Sequence, residues 1–184
     1  MCVIDRPETN IAPREVIATP RLKLRRPEAR DVGAIARLAG DYAIASMTTV
    51  MPHPYEEADA QRFVALVGAQ DRAQQNTFVI EHEDDGVIGA VGFHRSGPTP
   101  LEMGYWIGRP YWGRGYATEA SKAALDWARD DWRQKLVIAG HFADNPASAN
   151  VLIKTGFLYT GEVQRRHSRA RGQIAPTRMM IWLA

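Results

Sequence analysis

The sequence has almost no cysteine: Cys2 stands alone among 184 residues. A single thiol cannot close an intrachain disulfide, so a stapled extracellular scaffold is excluded and a reducing, cytoplasmic location is expected. Long apolar runs are missing too. No stretch approaches the roughly 20 residues that a membrane span requires, and residues 1–11 lack the basic start and apolar middle of a secretory leader. No membrane partner is expected. Charge of one sign is equally scarce, because 23 basic and 21 acidic side chains leave a formal net charge of only +2. That balance gives no electrostatic footprint for a specific nucleic-acid partner. No Cys/His spacing suggests a metal.

What is present describes one folded domain. A hydrophobic content of 45% with 24% charged residues is ordinary for a globular protein, and the length supports a single core. Residues 1–19 carry Pro7 and Pro13 without periodicity and read as an arm, with the domain proper over 20–184. Leu22 and Leu24 alternate with charged residues as a short strand. From Asp31, the spacing of Val32, Ile35, Leu38, Ala39 and Tyr42 predicts one buried helical stripe. A second helix is expected over 56–69, with Phe63, Leu66 and Val67 facing inward. Residues 77–81 and 87–94, joined by Glu83-Asp84-Asp85-Gly86, read as a hairpin. Pro98 and Pro100 mark a loop before a strand at 101–107, and a helix is expected over 117–132. Strands at 135–141, 157–164 and 177–183 and a helix at 146–155 complete the pattern, with the basic stretch 165–171 as a solvated hairpin. Hairpins at both ends of an alternating strand and helix order imply an α/β (α+β) domain whose mixed central sheet has about six or seven strands and about four flanking helices.

The most informative segment runs Trp112-Gly113-Arg114-Gly115-Tyr116-Ala117-Thr118, between a strand and a helix. Glycines there allow positive φ and close approach of a ligand, and the helix start offers unpaired N–H groups to an anion such as phosphate. A plain strand-to-helix connection is the alternative. Two familiar phosphate loops do not fit. Gly113 is followed by Arg114 and Gly115 rather than Lys and Ser or Thr, and Thr118 stands where a dinucleotide fingerprint needs Gly or Ala.

This segment resembles the coenzyme A pyrophosphate loop of GNAT acetyltransferases, whose pattern is Gln or Arg, two residues, Gly, one residue, Gly or Ala. Gly115 and Ala117 match the last two positions; Trp112 stands at the first, as in the branch similar to ribosomal-protein N-terminal (alanine) acetyltransferases. A second segment, Asn145-Pro146-Ala147-Ser148 followed by Val151-Leu152 and Lys154-Thr155-Gly156-Phe157, resembles the family's other cofactor segment. Thr19-Pro20-Arg21-Leu22 and Gly104-Tyr105-Trp106-Ile107 also look like that branch. The resemblance implies a GNAT-like fold and an acetyl-CoA-dependent N-acetyltransferase, with a primary amine as acceptor, on a small molecule or a protein N-terminus. A weakly catalytic module that binds acyl-CoA is the alternative, and a homodimer belongs to the expectations. Cofactor contacts are then expected from Trp106 and Ile107 at the strand's end, from Trp112, Gly113, Arg114, Gly115, Tyr116, Ala117 and Thr118 in the loop, and from Asn145, Ser148 and Lys154.

Direct attack of an amine on a thioester needs no covalent enzyme intermediate, which suits a chain whose one cysteine is Cys2. Glu102 is the candidate base, an exposed strand charge being its alternative reading. Alternation puts Glu102, Gly104 and Trp106 on one face and Leu101, Met103 and Tyr105 on the other. Where many relatives carry a thiolate-protonating tyrosine, this chain has Val151 and Leu152, so Ser148 is the hydroxyl left for that role, with helix capping as its alternative. His94 and His141 are alternative bases. The basic stretch 165–171 could instead steer an acidic acceptor or the coenzyme's ribose phosphate.

Overall fold

The computed structural model describes residues 14–95 and 99–184; Cys2 and Pro98 lie outside them. The strands are β1 (Ile17–Ala18), β2 (Leu22–Arg25), β3 (Asn76–His82), β4 (Gly86–His94), β5 (Leu101–Ile107), β6 (Leu136–Phe142), β7 (Leu158–Ser168) and β8 (Gln173–Leu183). They form one sheet in the order β1-β2-β3-β4-β5-β6-β8-β7. Each neighbouring pair is antiparallel except β5 and β6. The helices are α1 (Val32–Ala39), the single turn α2 (Tyr42–Ala45), α3 (Glu57–Gly68), α4 (Tyr116–Asp130) and α5 (Pro146–Lys154).

The sheet is covered on both faces. On one, Phe78, Phe93, Met103, Val137 and Met180 join Ala120, Leu125 and Trp127 of α4 and Leu152 of α5 in the larger core. Trp127 is fully buried, its ring 5.1 Å from that of Phe78. On the other face Val79 and Val87 meet Ile35 of α1 and Ala60 of α3, with Phe63, Val64 and Trp106 packed against them.

Four details depart from the sequence reading. The sheet has one or two strands more than expected, and β1 comes from residues assigned to the arm. Ile17 pairs with Leu24 and is buried, and the Arg14 carbonyl accepts the Trp127 indole N–H at 3.1 Å. A strand of two residues is too short to show alternation. In α3 the buried stripe is Ala60, Phe63, Val64 and Val67, spaced i, i+3, i+4, i+7, so Leu66 points to solvent at 63% exposure. Tyr42 also leaves the buried stripe. The first helix stops at Gly40 and Asp41 caps α2, its carboxylate accepting the Ala43 N–H at 2.9 Å. Finally, Arg165, Arg166 and His167 belong to β7, leaving only 169–172 for the turn. The unbroken polar run Gln164-Arg165-Arg166-His167-Ser168 hid that strand.

One ion cluster holds β2 to the sheet. The Arg25 guanidinium reaches Asp31 and Glu81, each at 2.7 Å, with the Arg25 and Asp31 side chains only 6% and 5% exposed. Burial by itself would raise the Asp31 carboxyl, but the hydrogen bonds from Arg25 and from the Glu28 N–H outweigh it and hold Asp31 below the usual carboxylate range. Arg25 likewise holds Glu81 down. Without Asp31 the buried Arg25 keeps Glu81 but loses its best-buried partner, and the Glu28 N–H loses its acceptor. Asp31→Ala is therefore expected to lower unfolding free energy by about 1.5–3 kcal/mol in urea titrations. Because both folded carboxyl pKa values are depressed, their stabilisation is complete above the unfolded values near ~4 and is lost as pH falls through the folded ones. Acid unfolding monitored by circular dichroism should begin at higher pH in Asp31→Ala than in the parent.

Candidate active site

Two strands that begin as neighbours and then part create the site. β5 and β6 pair only where Leu101 meets Val137 and Glu102 meets Ile138, although each strand has seven residues. Beyond those positions β5 stays with β4 as far as Ile107, while β6 stays with β8. The middle of the sheet therefore opens into a wedge.

The glycine loop begins where β5 ends. Trp112 folds back so that its indole N–H donates to the Ile107 carbonyl at 2.6 Å. Gly113 and Gly115 have φ of +77° and +79°, a left-handed conformation that glycine adopts without strain, and a Cβ at Gly113 would meet open space. Gly115 is the N-cap of α4 and supplies no side-chain cap, so the N–H groups of Tyr116, Ala117 and Thr118 lack intrahelical acceptors. Arg21 braces this corner from the side. Its guanidinium donates to the Arg114 carbonyl at 3.0 Å, pairs with Glu119 at 2.6 Å and lies over the Tyr116 ring at 4.6 Å. Open glycine backbone, a bare helix start and two nearby guanidinium groups fit a diphosphate.

The helix α5 forms the second wall. Asn145 caps it by accepting the Ser148 N–H at 3.1 Å, with Pro146 at the first helical position. Ser148 keeps a further contact: the Tyr105 hydroxyl lies 2.8 Å from its Oγ and 3.1 Å from its carbonyl. Both distances are met if Tyr105 donates to the carbonyl and accepts from the serine hydroxyl. Burial pushes the Tyr105 phenol up, against a smaller opposing effect of Ser148, so it stays a neutral donor. The sequence reading placed Tyr105 on the face shared with Leu101 and Met103 and gave it no role in the site. Its alternation with Leu101 and Met103 was legible, but its partner is 43 residues away. Lys154 ends α5 exposed to solvent.

Glu102 lies on the opposite face of β5 from Tyr105, so the two catalytic candidates, Glu102 and Ser148, sit on either side of the sheet. His94 is directly across from Glu102 on β4. Arg166 reaches from β7 to grip both Glu102 oxygens, one of them at 3.1 Å. Next along β5, Gly104 is exposed and a Cβ there would find nothing within 4 Å. His141, by contrast, faces the larger core, with Nε2 2.9 Å from the Tyr159 hydroxyl and Nδ1 2.8 Å from the Phe142 carbonyl. The end of the last hairpin holds the chain at 46–50. Ser168 donates to the Thr48 carbonyl at 2.9 Å, the Arg169 N–H to Thr49 at 3.1 Å, and Arg171 to Ser46 and Asp144. The basic stretch is therefore largely engaged within the fold rather than freely solvated.

Comparison with known proteins agrees with this architecture. Residues 21–158 match the family described as acetyltransferase (GNAT) domain. The uncharacterized N-acetyltransferase p20 of Bacillus licheniformis is 26% identical over 173 residues, which cover 92% of this chain and 96% of that protein. Mycobacterium smegmatis RimJ, solved in complex with CoA-disulfide, superposes with a TM-score of 0.80 at 22% identity over 94% of this chain and 88% of its own. Spermidine N-acetyltransferase from Vibrio cholerae, solved with CoA and spermine, gives 0.74 at 21% over 90% and 96%. At these identities the structural likeness is one of fold.

Gly115→Val places a β-branched side chain at φ +79° and 3.6 Å or closer to Arg21. It is expected to abolish coenzyme A binding in titration calorimetry while the far-ultraviolet spectrum stays that of a folded domain; unchanged affinity would remove the loop from the site.

Proposed function

Because this chain belongs to the GNAT acetyltransferase family, we propose that it moves an acetyl group from acetyl-CoA to a primary amine, on a protein N-terminus or a small molecule, by direct attack on the thioester. It is an acyltransferase that uses acetyl-CoA. One observation carries the mechanistic reading: the wedge between β5 and β6 has the glycine loop at one end and opens on Glu102 and Gly104 at the other face.

Acetyl-CoA supplies an activated acyl carbon and a thiolate leaving group. In the proposal, backbone N–H groups from Gly113 to Thr118 hold the pyrophosphate, with Arg114 and Lys154 available to the outer phosphates. Trp106 and Ile107 border the acyl-bearing arm, and Asn145 fixes α5 beside it. Extended arms with amide groups suit an open strand edge, because N–H and C=O groups there need partners. On that side the Ser148 hydroxyl, turned from the Tyr105 oxygen toward the sulfur, can donate a hydrogen bond to the departing thiolate, while Tyr105 holds the serine by its bond to the Ser148 carbonyl. A thiol with pKa near ~8.5 needs only modest help.

Glu102 takes the amine's proton on the other face, directly or through His94 and water. The acceptor's own acidity bears on the choice: an α-amine near ~8 is partly neutral at pH 7, whereas a lysine amine near ~10.4 is almost fully charged. One carboxylate already held by Arg166 suits the more acidic α-amine. A cytoplasmic location belongs to the same proposal and rests on the single thiol, Cys2.

Free coenzyme A release, followed with a thiol reagent across amino acids, peptides and polyamines, tests the reading. Glu102→Gln should lower kcat by roughly 10²-fold or more with coenzyme A affinity preserved. Binding of acetyl-CoA with no release for any amine would replace a catalyst with a carrier.

A further inference from the structure

Three glycines stand near Glu102 on its face of the sheet, and the space is open over Gly104 alone; at Gly92 the Thr77 side chain lies 2.8 Å from where a Cβ would be. Gly92 and Gly104 are register partners on β4 and β5, and Gly140 occupies the corresponding stretch of β6 on the same face. Gly140 is likewise crowded: a Cβ there would come within 2.8 Å of Thr177, 3.1 Å of Met179 and 3.6 Å of the Arg166 Nη1. Arg166 thus crosses β8 and β6 over small residues, Ala175 being its register partner, to arrive at Glu102.

The pair it makes there is bidentate and partly desolvated, with side-chain exposures of 22% for Arg166 and 18% for Glu102. Among the described residues, the other side-chain partner of Arg166 is the neutral Gln164 oxygen, 2.9 Å from Nε. An acceptor that brought only an ammonium would share the Glu102 carboxylate with Arg166 and weaken the hold of the guanidinium on its one anion. A partly desolvated charge is costly to leave weakly paired. An acceptor that brings an ammonium and a carboxylate together exchanges one ion pair for two, and the planar fork of the guanidinium matches a carboxylate better than any other small group.

We infer that Glu102 and Arg166 form a two-charge reader over Gly104 whose preferred acceptor is a zwitterion, a free α-amino acid with its ammonium on Glu102 and its carboxylate on Arg166. The inference rests on the acetyl-transfer reading above and narrows it, from amines at large to amines that carry their own anion. The short spacing between the two charges of an α-amino acid fits groups that hydrogen-bond to each other at 3.1 Å. Polyamines, which offer several cations and no anion, are disfavoured at the same place.

The test compares free α-amino acids with their carboxamides and decarboxylated amines, first by calorimetric binding to the complex with coenzyme A, then by kcat/KM with acetyl-CoA. The parent protein is expected to favour the amino acid by about tenfold or more in both. Arg166→Gln should bring that ratio close to one, and Arg166→Lys, which keeps the charge without the fork, should fall between. Gly104→Val should weaken every acceptor alike, leave coenzyme A affinity in place and not change the ratio. Equal binding of amino acid and carboxamide to the parent, a ratio that survives Arg166→Gln in a protein with unchanged melting temperature, or full acceptor binding in Gly104→Val would each overturn the inference. Turnover of amines without this selectivity would defeat the inference alone; selective binding without release of coenzyme A would defeat the acetyl-transfer reading and leave the reader standing.

Discussion

Parallel pairing that stops after two positions leaves backbone donors and acceptors along 103–107 and 139–142 with no strand partner across the wedge, among the described residues. Such an opening in mid-sheet is costly unless something answers those groups. The surrounding elements are arranged to keep it open rather than to close it. β5 is held on its far side by an unbroken antiparallel register with β4, and β6 by seven consecutive pairs with β8. Each half of the sheet therefore keeps its own hydrogen-bonded ladder. The helix that follows each parting strand, α4 after β5 and α5 after β6, then begins beside the opening. Two helix starts, one bare and one capped by Asn145, thereby come to the same place.

Two guanidinium groups show how burial divides stability from function here. Arg25 satisfies Asp31 where almost no solvent reaches, the two side chains being 6% and 5% exposed, and it holds the more exposed Glu81 as well. Its loss would leave the Asp31 carboxylate buried without its direct partner. Arg166 makes a similar fork with Glu102, but at the edge of open space over Gly104. That position allows partners to be exchanged without unfolding anything. The same chemistry thus ties β2 to β3 and to the turn before α1 in one place and, in the proposed mechanism, offers two opposite charges to a substrate in the other.

The general plan was legible in the sequence because its main signals are local. Alternation along 101–107 placed Glu102 and Tyr105 on opposite faces, and the Gly113 and Gly115 turn announced a left-handed loop before a helix. Contacts between distant segments were not legible. Nothing near Ser148 points to Tyr105, and nothing near Glu102 points to Arg166, which is 64 residues away in a stretch that composition alone described as solvated. Arg165, Arg166 and His167 run together in β7 and leave no apolar period to betray a strand. Leu66 misled for a related reason: hydropathy favoured it, whereas helical geometry required Val64. Residues 14–19 were read as loose because their anchors, Trp127, Glu119 and Asp131, lie about a hundred positions later.

Trp112 explains how the loop can differ from the usual pattern of its family and keep its shape. A Gln or Arg at that position would bring polar donors to the phosphates, but here the indole N–H is spent on the Ile107 carbonyl, tying the loop to the last residue of β5. In the proposed binding mode, positive charge then comes from Arg114 within the loop and from Arg21, just before β2, held by Glu119 and the Arg114 carbonyl. Thr19 donates to Glu119 as well, at 2.6 Å, so the segment before β2 fixes the carboxylate that fixes Arg21. The first turn of α4 is thereby organised by residues nearly a hundred positions upstream, and a change at Thr19 would reach the phosphate-binding corner through two hydrogen bonds rather than through the loop itself.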